Sequence, residues 1–517
     1  MSNTKTIARN SGWSGLETVT NTLVSFITSI AIARTLGPDK NGYIVYVSYI
    51  AGIVSTLGGL GIAAATRKYM AEFIGMGDKG TARYIFVRTF WMQLVMATVA
   101  TAAIIYWVLH RADAEYRLAA FLIALSIWPS MVNSIPAGAN AATEDLATNI
   151  PASIVSSFVY LFAIFACVIF HWGVTGIGAA FFLMRLVDFL VRLFPAVRRV
   201  LKWERGHSLP EGVQSRMVAF AWQSVTTMLL SLVVWERFEV VLLGRRGAAN
   251  SEISFYSIAF GLGNMLLLSS TIFGSAASTT MFAQFGRDKS KLPQLASASF
   301  RYLTLTSVPL HAVATALAVP ALIFLFGARY AGAAMVVTIA PLLCMPKAFA
   351  SPIMTLLQST ERQVYVIVTM VIAGMVDIGV TWMLIPAYGA VGACIGSGSA
   401  QITAVGIMWT IAVRKFGIKL PWILTAKVVV MSAAAALAAH FVTRFFPPLW
   451  GILLGGCTAL VVLLTLTCLL RIIEPQDQAR FAQLSGALPP PLSALADRIL
   501  ALLIRAERIP IQGEMAE

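Results

Sequence analysis

Charge is scarce in this sequence, and negative charge scarcer: 23 Asp and Glu stand against 38 Lys and Arg in 517 residues, and 12% of the chain is charged. Soluble chains average about 25% charged, so no soluble domain is expected. Cysteine and histidine are also rare, five of each. Cys167, Cys344, Cys394, Cys457 and Cys468 all fall inside apolar runs, which argues against a disulfide framework or a thiolate metal site and reads them as small core residues. No paired carboxylates, histidine cluster, nucleophile elbow or phosphate-cradling glycine loop occurs in any connection, so an enzyme is not expected. The start, MSNTKTIARNSGW, lacks a small-residue cleavage site and is expected to stay as the first helix.

Long apolar runs are abundant instead. Hydrophobic residues make up 58% of the chain and mean hydropathy is +0.79. Fourteen stretches are long enough to cross a hydrocarbon core of about 30 Å: 14–35, 43–65, 84–109, 117–140, 151–171, 174–195, 217–243, 253–282, 300–326, 332–357, 363–385, 389–413, 421–443 and 448–470. The net charge of +15 is not spread as a nucleic-acid surface would spread it. With the N-terminus in the cytoplasm, that side carries 24 of the 38 Lys and Arg and the opposite side seven. This asymmetry predicts that both termini lie in the cytoplasm.

Features also recur at a nearly constant offset. Tyr43 through Ala71-Glu72-Phe73 matches Tyr256 through Ala283-Gln284-Phe285, at 213 and 212 residues. Pro129 and Pro136 of the fourth span match Pro346 and Pro352 of the tenth, and WGVTGIGAA from Trp172 matches YGAVGACIG from Tyr388. Six spans separate the copies, so both have the same orientation. The expected fold is all-α and polytopic, with two parallel six-helix lobes, 1–200 and 201–418, two added helices in 419–470 and a tail in 471–517. In the tail, 492–508 alternates leucines with Arg498, Arg505 and Arg508, as a helix lying on the membrane surface would.

LGPDKNGYIVYVSYIAGIVSTLGGLGIAAATRKYMAE, Leu36 to Glu72, resembles the first hairpin of the oligosaccharide and polysaccharide flippases, O-antigen flippase-like members of the multidrug/oligosaccharidyl-lipid/polysaccharide exporter superfamily. YGAVGACIG, 388–396, resembles their Gly-rich hairpin, and the likeness in pattern extends over essentially the whole chain. The resemblance implies a bilobed fold, alternating access, and transfer of an undecaprenyl-diphosphate-linked glycan between leaflets for surface polysaccharide. Polysaccharide polymerase or assembly proteins are the partners it suggests. It brings no site motif, so site residues are read from the chemistry of this sequence.

The segment RLVDFLVR sets Arg185, Asp188 and Arg192 on one face of the sixth span, with Arg185 near mid-membrane. Charge at that depth costs about 2.5 to 3.5 kcal/mol per residue, so the face should look into protein or water. A guanidinium fork suits a diphosphate, which makes Arg185 and Arg192 candidate substrate contacts and Asp188 their brace; a self-contained ion network is the alternative. Lys347 beside Pro346 is a further substrate candidate, or else pairs with Asp377 or Glu239. Arg88 is a candidate contact at the cytoplasmic entrance. Asp377 and Glu17 are candidates for proton or sodium coupling. Trp235 reads as an interfacial anchor, and Glu236, Arg237 and Glu239 as an outer gate or a solvated rim. No other cofactor is expected.

Rival readings are a multidrug exporter of the same superfamily and a lipid II flippase. The first is disfavoured because cation capture wants acidic and aromatic cavities, whereas the mid-span charges here lean basic. A glycan polymerase or ligase is disfavoured by periplasmic connections too short to hold donor and acceptor.

Overall fold

In the computed structural model, residues 2–473 are described except 112, 144, 145, 207 and 361, with backbone alone for 2–16 and a few other helical positions. The surface-helix expectation for 492–508 lies outside the described residues. Among those described there is no strand, and seventeen α-helices follow one another in the chain.

The first helices are α1 (Ser2–Gly58), α2 (Ile62–Gly75), α3 (Lys79–Arg111), α4 (Arg117–Leu125), α5 (Ile127–Ala142), α6 (Leu146–Ile169) and α7 (Gly173–Val200). Then come α8 (Val213–Trp235), α9 (Glu239–Arg245), α10 (Asn250–Leu266), α11 (Leu268–Arg287), α12 (Leu292–Phe326), α13 (Ala334–Cys344) and α14 (Ala350–Ser359). The last are α15 (Gln363–Phe416), α16 (Trp422–Thr443) and α17 (Pro448–Leu469).

Eleven helical stretches among the described residues are long and apolar enough to cross a membrane. They cover thirteen of the fourteen expected spans, four of them merged in two pairs; the eighth, 253–282, is not among them. Within α1 the first two spans join through Gly37 (φ 75°) and Pro38, and within α15 the eleventh and twelfth join through Gly389 (φ 49°). The eighth span is divided between α10 and α11 at Leu267.

The two copies bend alike. Gly173 and Gly389, equivalent in the repeat, both have positive φ (60° and 49°), the region where a side chain is unwelcome. The fourth span breaks at Ser126 between α4 and α5, and the tenth breaks into a 3₁₀ turn, Met345–Phe349, between α13 and α14. The proline partners Pro129 and Pro346 stand beside these breaks, where a missing N–H and ring sterics disfavour a continuous helix.

Two compact units emerge. Among the described residues, one comprises those within 1–268, 325–347 and 362–408; the other comprises those within 269–324, 348–361 and from 409 onward. The first has two apolar cores, one around Ile123, Met131 and Ile164, the other around Tyr69, Met70, Ile85 and Phe86. The second packs Ala435, Ala439 and Ala459, small residues that let α16 and α17 approach closely. Large apolar side chains elsewhere are bare, including Trp91, Val95 and Val99 on α3 and Leu437, Phe441, Leu460 and Val461 on α16 and α17. Lipid, not water, is the solvent such surfaces require.

Candidate functional site

The first unit holds a cavity of about 440 Å³, within the range of about 300–1,000 Å³ typical of small-molecule sites. Its walls come from α1, α4, α6, α7 and α8. Arg185 reaches it from α7, twelve residues past Gly173 and so about 18 Å along the helix. Its guanidinium lies 5.3 Å from the Phe181 ring centroid. Arg237, from the break between α8 and α9, is a second cation on the wall and sits 5.8 Å from both the Tyr49 and Phe260 rings. Tyr49, Tyr160, Asn41 and Ser48 add polar groups. Among the described residues no carboxylate lines the cavity.

The RLVDFLVR face divides. Arg185 lines the cavity, but Arg192 does not: its Nε donates to Asp188 Oδ1 at 3.0 Å. Asp188 also accepts from Asn133 Nδ2 (2.6 Å) and Ser156 Oγ (3.4 Å), and both ion-pair partners are largely buried. Arg192 thus takes part in the ion network that is the alternative reading of this face. The i, i+4 spacing brings it within reach of Asp188, whose carboxylate accepts from Arg192, Asn133 and Ser156 together.

Lys347 is neither on this cavity wall nor in an ion pair among the described residues. Its Nζ donates to Trp235 O (2.7 Å) and weakly to Asn264 Oδ1 (3.5 Å), while facing the Phe260 ring at 5.6 Å. The broken helix at Trp235 leaves that carbonyl without its helical donor, and the ammonium satisfies it. Trp235 is itself buried, so the interfacial-anchor expectation is also corrected. Arg88 is exposed beside a small apolar groove of about 100 Å³ with Gln214 and Met217. Glu17 is half-buried near the start of α1.

The three charges expected at a gate or rim go separate ways. Glu236 is exposed, Arg237 faces the cavity, and Glu239 is fully buried. Glu239 accepts from the Tyr256 hydroxyl (2.7 Å) and lies beside Asp377, which is also fully buried and accepts from Thr381 Oγ1 (3.0 Å). Glu239 Oε1 and Asp377 Oδ2 have no hydrogen-bond donor among the described residues. Two neighbouring buried carboxyl oxygens without donors are a place that a proton or a small hard cation fits. Ser397 and Gln401 stand one turn apart nearby, with Gln401 Oε1 also lacking a donor.

The two copies touch beside the cavity, where Asn41 is one of its lining residues. Asn41 Nδ2 donates to Ser254 Oγ at 2.7 Å, and Tyr330 OH to Ala33 O at 3.1 Å. Gly42 lies so near the Asn250 carbonyl that a Cβ there would collide with it. Sequence reading missed this contact and the Glu239–Asp377 pair. Asn41 and Ser254 do hold the 213-residue repeat offset, and that was the available signal.

These features define a polytopic α-helical membrane protein with an internal, cation-lined cavity. The chain belongs to the polysaccharide biosynthesis protein family, whose profile matches residues 7–285. Its fold is similar to that of the lipid II flippase MurJ in an inward closed conformation, at TM-score 0.69 and 12% identity over 89% of this chain and 98% of that one. It is similar also to an inward-facing multidrug resistance MATE family transporter of the MOP superfamily, at TM-score 0.65 and 14% identity over 77% of this chain and 94% of that one. No curated protein sequence matches.

Proposed function

We propose that this protein is a flippase that carries an undecaprenyl-diphosphate-linked oligosaccharide from the cytoplasmic to the periplasmic leaflet of a bacterial inner membrane by alternating access. Family membership supports a role in polysaccharide biosynthesis. The observation that carries the substrate class is the cavity with Arg185 and Arg237 and no acid. Two guanidinium forks on one cavity wall match a diphosphate, whose charge would otherwise be stranded in hydrocarbon. Asp188 and Arg192 position α7 and so the Arg185 side chain. Glu239 and Asp377 hold the proton or sodium ion that couples the cycle. Both termini lie in the cytoplasm, as the basic-residue asymmetry suggests.

The same cavity speaks against an organic-cation exporter, because a cationic drug would meet two arginines and no carboxylate. A lipid II flippase shares the diphosphate chemistry, and fold similarity supports that second reading. Complementation of surface polysaccharide in a strain lacking the protein tests the proposal. Arg185→Ala is expected to abolish or sharply reduce export at normal membrane abundance. Full export by Arg185→Ala, Arg237→Ala would overturn it.

A further inference from the structure

The second unit contains another basic cavity, of about 490 Å³, where α12, α16 and the turn after α17 meet. Arg301, Lys427 and Arg471 line it, and among the described residues no carboxylate does. Lys427 Nζ donates to Leu470 O at 2.9 Å, and an Arg301 Nη to Ile472 O at 3.4 Å. Both carbonyls follow the last turn of α17, where a helix ends with acceptors unsatisfied and partial negative charge. They fix two cationic heads at the cavity wall. Arg471 occupies the turn between those carbonyls, with φ 49°.

Depth and surroundings point to a class of ligand. The apolar run of α16 begins at Trp422 and that of α17 ends at Leu469, so the cavity lies at a membrane boundary, not at the midplane. Trp422 and Ile423, on the cavity rim, are 67% and 78% exposed. An aromatic ring and an aliphatic side chain bare beside three cations suit a molecule with an anionic head and an apolar tail. A soluble anion would need the cations but not that rim.

We propose that this cleft binds the phosphate headgroup of an anionic membrane lipid, with its acyl chain along Trp422 and Ile423. The site is separate from the translocation cavity and does not depend on what that cavity carries.

Native mass spectrometry of the purified full-length protein, titrated with phosphatidylglycerol, phosphatidylcholine or inorganic phosphate, tests this. Phosphatidylglycerol is expected to be retained in preference to phosphatidylcholine. Loss of one charged hydrogen bond should weaken that binding about tenfold, in Lys427→Gln and in Arg471→Asn. Lys427→Gln also removes the donor to Leu470 O and can harm folding. Arg471→Asn therefore carries the test, because asparagine tolerates positive φ. Lys68→Gln, a cation elsewhere on the protein, should leave binding unchanged. Equal retention of both lipids, or unchanged phosphatidylglycerol binding by folded Arg471→Asn, would overturn the proposal. Displacement of the lipid by equimolar inorganic phosphate would overturn it too, by making this a free-anion site.

Discussion

Asn41 and Ser254 are equivalent positions in the two copies of the repeat, and the amide of one donates to the hydroxyl of the other at 2.7 Å. A contact between equivalent residues opposes like against like beside the cavity, where Asn41 is a lining residue. If the two residues separate in each cycle, holding them together should stop transport. In a background without native cysteines, Asn41→Cys, Ser254→Cys is expected to cross-link, to block polysaccharide export when oxidised, and to recover on reduction. Export unaffected by complete cross-linking would show that this contact does not open.

Arg185 and Arg192 should behave differently although they share a helix. Arg185→Ala is expected to lose export with normal abundance, and Arg185→Lys to recover only partly because an ammonium lacks the bidentate fork. Arg192→Ala leaves Asp188 with two neutral donors and should cost about 1.5–3 kcal/mol of stability. Thermal unfolding in detergent, measured beside export, separates the two outcomes.

The Glu239–Asp377 pair is expected to set the coupling. Asp377→Asn and Glu239→Gln keep the volume but remove a carboxylate, so transport should lose its response to an imposed proton or sodium gradient. Transport by both variants with the wild-type gradient dependence would exclude the pair from coupling.

Gly389 and Gly173 offer a comparison within one fold. Both have positive φ, so alanine is strained at each, by about 1 kcal/mol. At Gly389 the added methyl would also collide with the Glu252 carboxylate, which accepts from Ala390 N at 2.6 Å; at Gly173 nothing stands within 4 Å. Gly389→Ala should therefore lower the unfolding temperature more than Gly173→Ala.

Much of the fold was legible because lipid allows few solutions. A run of about 20 apolar residues has to be helical there, and the repeat offset alone pairs Pro129 with Pro346, beside which the two breaks fall. What periodicity could not reveal was partnership between distant helices. Glu239 and Asp377 are separated by 138 positions, so each looked like an isolated acid, and Glu239 looked exposed because it followed Trp235. The spacing of RLVDFLVR correctly put three charges within reach of one another. It did not reveal that Asn133 and Ser156 would complete a network around Asp188 and leave Arg185 alone at the cavity.

Reconstitution of the purified protein into liposomes carrying a labelled undecaprenyl-diphosphate-linked oligosaccharide in one leaflet tests the central claim most directly. The wild type should move the label to the other leaflet, and Arg185→Ala, Arg237→Ala should do so no faster than protein-free liposomes. Equal transfer by the double variant, or none by folded wild-type protein under an imposed ion gradient, would contradict the account.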